Sequence, residues 1–191
     1  MTSCIKRAVE DVIEGKPLDD EERSCLEELG LYRDGLLAPR PYLVFKALEL
    51  GTPLDLSKIS KSLSWQEFEE IILYILEGWG FSASRDVRLQ CGNRRAEFDV
   101  IARSDRYLVV IEAKRWKYGG SRWNEVVRDH LEKIRTCLPQ LKSLAPRVIP
   151  VVITLTSFNA VVSGVPVLSI SLLADFLRNI DNLGDQILIL T

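Results

Sequence analysis

Two apolar periods alternate along the chain. Residues 3–14 carry apolar side chains at helical spacing, and PLDDEERSCLEELGL (17–31) reads as a second helix opened by Asp19 or Asp20 and closed by Gly30. YRDGLLAPRP (32–41) holds an Asp-Gly pair and two prolines, so a turn or short hairpin is expected. YLVFKALELG predicts a helix ending at Gly51, and Asp55 can cap a short one over LSKISKSL. In SWQE, Ser64 and Glu67 form a capping box for a helix running to about Gly78. Its apolar stripe takes Trp65, Phe68, Ile72, Ile75, Leu76 and Trp79.

After Gly80 the period falls to two. FSASRDVRLQ, AEFDVIA and YLVVIEAK read as three strands joined by the turns CGNRR and RSDR, a meander. A long amphipathic helix is expected over NEVVRDHLEKIRTCLPQLKSL, shortened or kinked at Pro139. RVIPVVITL and VPVLSI read as strands, SLLADFLRNI as a helix and DQILIL as a last strand. The fold class is α/β, with a mixed sheet covered by helices. A helical N-terminal domain over 1–62 precedes the main domain over 63–191. Two helices joined by Gly-Thr-Pro resemble half of a helix-turn-helix, making a winged-helix-like unit one reading; such pairs also occur in domains that never touch DNA.

Composition narrows this little: 191 residues, 47% apolar, 27% charged and a net charge of −2 are globular values. The distribution of charge says more. Residues 82–135 hold 13 basic and 8 acidic side chains, whereas 63–81 hold 4 acidic and no basic ones. A local basic excess is the footprint of a polyanion partner, or an ordinary solvated face. Cys4, Cys25, Cys91 and Cys137 are scattered without a CxxC, so neither a zinc site nor a disulfide framework is expected and the cytoplasm is the natural setting. No run of about 18 apolar residues predicts a membrane span.

The candidate chemistry lies where buried strands end in charge. Glu112 and Lys114, at i and i+2, share a face at the end of the third strand. With RSDR as the turn, Asp99 comes near Glu112 across the pair, about 5 Å apart at Cβ. Two such carboxylates repel unless a cation joins them, and Mg²⁺ or Mn²⁺ takes such oxygens. Lys114 would sit beside a metal-bound water or a phosphate. Glu69 is out of place on the apolar stripe of its helix and could add a third carboxylate. This set suits metal-assisted phosphodiester hydrolysis. A surface ion pair at an exposed strand end is the plainer alternative.

EFDVIA followed by IEAK resembles the PD-(D/E)xK nuclease superfamily, whose core order of helix, meander, helix and strand matches the elements above. FEEIILYILEGWGF resembles the first helix of Mrr-type restriction endonucleases and archaeal Holliday junction resolvases, with Glu69 eleven residues before Gly80. IEAKRW resembles the Mrr-type QAKRW motif with Glu in the metal-binding place. Phe98 stands where many relatives have proline. Over roughly 64–155 the resemblance implies a restriction-endonuclease-like core, with Asp99, Glu112 and the carbonyl of Ala113 as Mg²⁺ (or Mn²⁺) ligands, Lys114 as the catalytic lysine and Glu69 as the helix carboxylate. DNA is the expected partner and a homodimer the expected assembly. Endonuclease activity in restriction, repair or recombination is the leading expectation. A catalytically inactive nucleic-acid-binding or scaffolding module is the alternative, and a plain helix-turn-helix regulator would leave most of the chain unexplained.

Beside the site, KRWKYGGSRW mixes Arg115, Lys117 and Arg122 with Trp116 and Trp123. With Arg94 and Arg95, this segment is expected to hold nucleic acid, Arg115, Trp116, Lys117 and Arg122 lying nearest the site. For Trp116 and Trp123, core packing is an equal alternative. His130, beside Val127 and Ile134, is expected to be a partly buried structural histidine.

Overall fold

The computed structural model describes residues 2–115 and 122–191. Helix α1 (Thr2–Glu14) and α2 (Asp20–Glu28) are followed by a small hairpin of β1 (Tyr32–Arg33) and β2 (Leu36–Leu37), then α3 (Arg40–Glu49) and α4 (Leu56–Ser62). Asp19 caps α2 in a full capping box with Glu22, and Asp55 caps α4 by accepting from the Ser57 and Lys58 N–H groups. Ser64 and Glu67 make the expected box at the start of α5 (Trp65–Gly78).

The central sheet has six strands in the order β3-β4-β5-β6-β8-β7. β3 (Ser82–Cys91), β4 (Arg94–Arg103) and β5 (Tyr107–Lys114) form the antiparallel meander. β6 (Arg147–Thr154) and β8 (Val165–Ser169) run parallel to β5, and β7 (Ala160–Val162) closes the edge antiparallel to β8. Arg94 and Arg95 belong to β4, leaving the turn to Gly92 and Asn93. The long helix expected after residue 123 breaks into α6 (Trp123–Thr136) and α7 (Leu138–Lys142) at Cys137, because Pro139 cannot donate in a helix interior and sits instead in the first turn of α7. Helix α8 (Leu173–Asn179) follows a 3₁₀ turn over Ile170–Leu172.

DQILIL is not a strand; only Leu190 pairs, with Val148. β8 covers only Val152–Thr154 of β6, so the start of β6 has one free edge and one residue suffices to fill it.

The central strands β5 and β6 are buried on both faces. Val100, Ala102, Val109, Ile111, Val151 and Ile153 pack on one side with α5 and α8, in a core that continues through Ile5, Leu26, Leu43 and Ile59 of the N-terminal helices. That core crosses the expected boundary near residue 62. On the other face Leu108, Val110 and Val148 meet Ile134 and Leu141, while Val152 and Val167 meet Trp123, Val127 and Leu131 of α6. Trp65 and Trp79, expected inward, are 36% and 40% exposed, since they lie at the two ends of α5. No helix among the described residues is long and apolar enough to cross a membrane.

Two cystine bridges, Cys4–Cys25 and Cys91–Cys137, correct the expectation that the cysteines form no disulfide framework. Helix packing of α1 on α2, and of the β3–β4 turn on the end of α6, brings each pair together across 21 and 46 residues. Cysteine spacing therefore carries no argument for a reducing compartment.

Candidate active site

β4 delivers Asp99 through a local irregularity. The β3–β4 register is continuous, yet Arg85↔Val100 and Val87↔Phe98 pair while Asp86 and Asp99 between them do not. Asp86 has φ of 53°, a left-handed conformation that Asp tolerates better than most residues. On one side of this break Ala96 and Phe98 pack toward α6; on the other Val100 and Ala102 pack toward α5. The face of β4 thus switches at Asp99. The β4–β5 ladder also stops at Val100↔Ile111, one step before Asp99 would meet Glu112. In place of the missing rung, Asp99 Oδ2 accepts from the Ala113 N–H at 2.8 Å.

Glu112 sits at the centre of three basic groups. Lys114 Nζ donates to Oε1 at 2.6 Å, and Lys133 Nζ, from α6, donates to Oε2 at 2.9 Å. His130 Nδ1 lies 3.5 Å from Oε2. The other ring nitrogen, Nε2, is 3.0 Å from the Val110 carbonyl; a carbonyl only accepts, so Nε2 carries the hydrogen. His130 is completely buried rather than partly so, and it belongs to the site. Burial alone would raise the proton affinity of Glu112. The Lys114 hydrogen bond and the charges of Lys114 and Lys133 outweigh it and hold the carboxyl well below the usual range. Asp99 moves the other way, raised by burial and by the charge of Glu112 against the pull of the Ala113 N–H, Lys114 and Lys133.

Glu69 is 1% exposed on α5. Burial pushes its carboxyl up to about 7; the charges of Asp86 and Asp99 add to this, and a Trp65 hydrogen bond opposes it. Since the folded value exceeds the ordinary 4.5, Glu69 costs stability progressively as pH rises from about 4.5 to about 7, and the cost is constant above. Glu69→Gln is therefore expected to be more stable than wild type at pH 8 by about 2 kcal/mol, with most of that difference gone at pH 5. Urea unfolding at both pH values checks this; a gap independent of pH would remove the buried charge as its cause.

Lys133 was missed by sequence reasoning. The only signal was its place three residues after His130, on the edge of the inward face of α6. Arg115 is held away from open solvent, donating from Nη2 to the Ser60 carbonyl at 2.9 Å and tying α4 to the end of β5. Arg122 lines a cleft of about 300 Å³ with Glu112, Lys114 and Asp129. Arg94 and Arg95 line a neighbouring groove of about 460 Å³ with Asp129 and Lys133. Trp123 is buried and stacks on Phe158 with ring centroids 5.1 Å apart, so it packs. Trp116 and Lys117 lie outside the described residues.

The sequence model of the Mrr catalytic-domain family, described as a restriction endonuclease, matches residues 60–160, just over half of the chain. The chain belongs to this PD-(D/E)xK family. Its matched span covers α5, the meander, α6 and β6, so Glu69, Asp99, Glu112, Lys114, His130 and Lys133 all lie within the Mrr-type nuclease domain. No curated protein matches the chain. Among solved structures, the protein of unknown function AF1548 is 21% identical over 45% of this chain and 44% of its own, with a TM-score of 0.35. Protein VC1899 from Vibrio cholerae is 15% identical over 97% of this chain and 51% of its own, with a TM-score of 0.39. The chain thus spans about half the length of each.

Among the described residues no group of three or more His, Cys, Asp or Glu side chains is gathered to hold a metal ion, so Glu69 does not complete a cage with Asp99 and Glu112. The pair still fits a hard divalent cation. Its donors are carboxylate oxygens, with the Ala113 carbonyl next in the chain, and burial first, then the charge of Glu112, raises the proton affinity of Asp99.

Proposed function

We propose that the protein is a Mg²⁺- or Mn²⁺-dependent DNA endonuclease. The observation that supports this most is the end of the β4–β5 ladder, where Asp99 and Glu112 face a missing rung and Lys114 stands 2.6 Å from Glu112. A surface ion pair would not require a largely covered carboxylate held by two lysines from different elements. In this reading Asp99 and Glu112 hold the cation, which when bound supplies Lewis acidity and an acidified water. Glu112 keeps the Lys114 ammonium at the mouth of the cleft, where it meets a phosphate oxygen and offsets the charge that develops as the phosphodiester is attacked. The Ala113 N–H fixes one oxygen of Asp99 and leaves the other free. Glu69, titrating near neutrality, can hold or release a proton beside Asp99. Arg94, Arg95 and Arg122, without ion-pair partners among the described residues, offer phosphate contacts along the adjoining grooves. One site cuts one strand, so cleavage of both strands of a duplex calls for a two-fold dimer.

Duplex, single-stranded, flap and four-way junction DNA, incubated with Mg²⁺ or Mn²⁺ and with EDTA as control, test the reading. Metal-dependent cleavage of at least one substrate is expected. Calorimetry with Mn²⁺ should show saturable binding that Asp99→Ala and Glu112→Ala both weaken; equal binding by all three proteins would remove the ligand assignment. DNA binding without cleavage of any substrate would favour the nucleic-acid-binding alternative.

A further inference from the structure

A second cleft, of about 680 Å³, opens at the carboxyl ends of the parallel strands. One wall is α4, with Ser57 and Lys61; the other is the segment after β6, with Thr156, Ser157 and Asn159, and the turn after β8, with Ser171. Ligands of open α/β sheets bind at this edge, outside the carboxyl ends of the strands. The catalytic lysine lies on the same edge. Lys114 pairs in register with Thr154, and Thr154 with Ser169, so the cleft stands two strands across, about 10 Å from Lys114.

The lining is rich in hydrogen-bond donors. Most of its polar groups bond one another: Ser57 donates to Asp55, Ser60 to the Ser57 carbonyl and Asn159 to the Ser157 carbonyl, which leaves the Ser157 hydroxyl and the Lys61 ammonium, the latter without an ion-pair partner among the described residues, to meet a ligand. The one carboxylate, Asp55, is occupied by its own helix, accepting from the Ser57 N–H, the Ser57 hydroxyl and the Lys58 N–H at one oxygen. An ammonium without a counter-charge beside an exposed hydroxyl suits a ligand that only accepts, and a phosphodiester backbone is that. The cleft is fixed relative to the catalytic strand, since Arg115, the residue after β5, donates to the Ser60 carbonyl of α4.

We propose that this cleft is a subsite for the backbone of the substrate strand, about two nucleotides from the phosphate that is cut. The proposal rests on the nuclease reading and gives the N-terminal helices a part in holding substrate. Lys61 is the specific charge and Ser157 the neighbour whose replacement by an acid would repel a phosphate.

The test uses the full chain, DNA of a cleaved type, and anisotropy in Ca²⁺ in place of Mg²⁺. Lys61→Ala is expected to weaken binding about tenfold and to lower the salt slope by about 1, and Ser157→Asp to weaken it further. Both residues are exposed, and an unchanged melting temperature checks folding. Ending the DNA within about two nucleotides of the cut on one side should weaken wild type and leave Lys61→Ala unaffected. Wild-type affinity and salt slope in both variants, or a shortening penalty equal in wild type and Lys61→Ala, overturns the subsite while cleavage by wild type upholds the nuclease. A wild type that neither binds nor cleaves DNA overturns both.

Discussion

Lys114→Ala is expected to slow single-turnover cleavage by about 10²–10³-fold while leaving DNA affinity in Ca²⁺ nearly unchanged. The rate effect follows from the proposed role: an ammonium held against Glu112 at the cleft would meet the charge that builds on phosphate in the transition state. Affinity should hold because one phosphate contact among many is a small part of binding. Stability should hold too, for a reason the structure supplies. Removing Lys114 does not strand Glu112, whose other oxygen keeps Lys133 at 2.9 Å. The folding cost should stay near the scale of a partly exposed ion pair, about 1 kcal/mol or less. Asp99→Ala should also lose cleavage, through metal affinity, so high Mn²⁺ should restore part of its rate and none of that lost with Lys114. Wild-type cleavage by Lys114→Ala would end the catalytic assignment of the IEAK segment.

The residues of this site differ in how far the sequence exposes them. Asp99 and Glu112 were legible because a tight turn fixes antiparallel register and period-two patterning fixes which side chains share a face. Glu69 was legible as a carboxylate with neither a cap nor solvent to account for it, and its burial agrees. The face switch at Asp99 was hidden, since it depends on the left-handed Asp86 on the neighbouring strand. Lys133 and His130 were hidden for a different reason. Their contact with Glu112 is set by where α6 lies on the sheet, and helix periodicity reports the buried face without naming what lies beneath it. Arg115 was read as a nucleic-acid contact from its basic and aromatic neighbours, and only the packing of α4 reveals its bond to Ser60. Cysteine spacing, likewise, names no partners.

The Cys91–Cys137 bridge should contribute about 4 kcal/mol of stability, and the Cys4–Cys25 bridge about 3 kcal/mol, by the chain entropy that loops of 46 and 21 residues remove from the unfolded state. Cys91 lies at the end of β3 and Cys137 at the junction of α6 and α7, both buried. The longer bridge therefore fastens the hairpin that carries Asp99 to the helix that carries His130 and Lys133. Cys91→Ser with Cys137→Ser should shift the guanidinium midpoint down accordingly, and reductant should shift wild type in the same direction and leave a quadruple Cys→Ser variant unmoved. Cys4→Ser with Cys25→Ser should give a smaller loss at a distance from the site, with cleavage by the remaining folded protein unaltered. Thiol titration of the unreduced, unfolded protein decides the premise. It should find no free thiols before reduction and four after; four reactive thiols before reduction would mean that the packing juxtaposes these cysteines without bonding them, and the stability difference should then vanish.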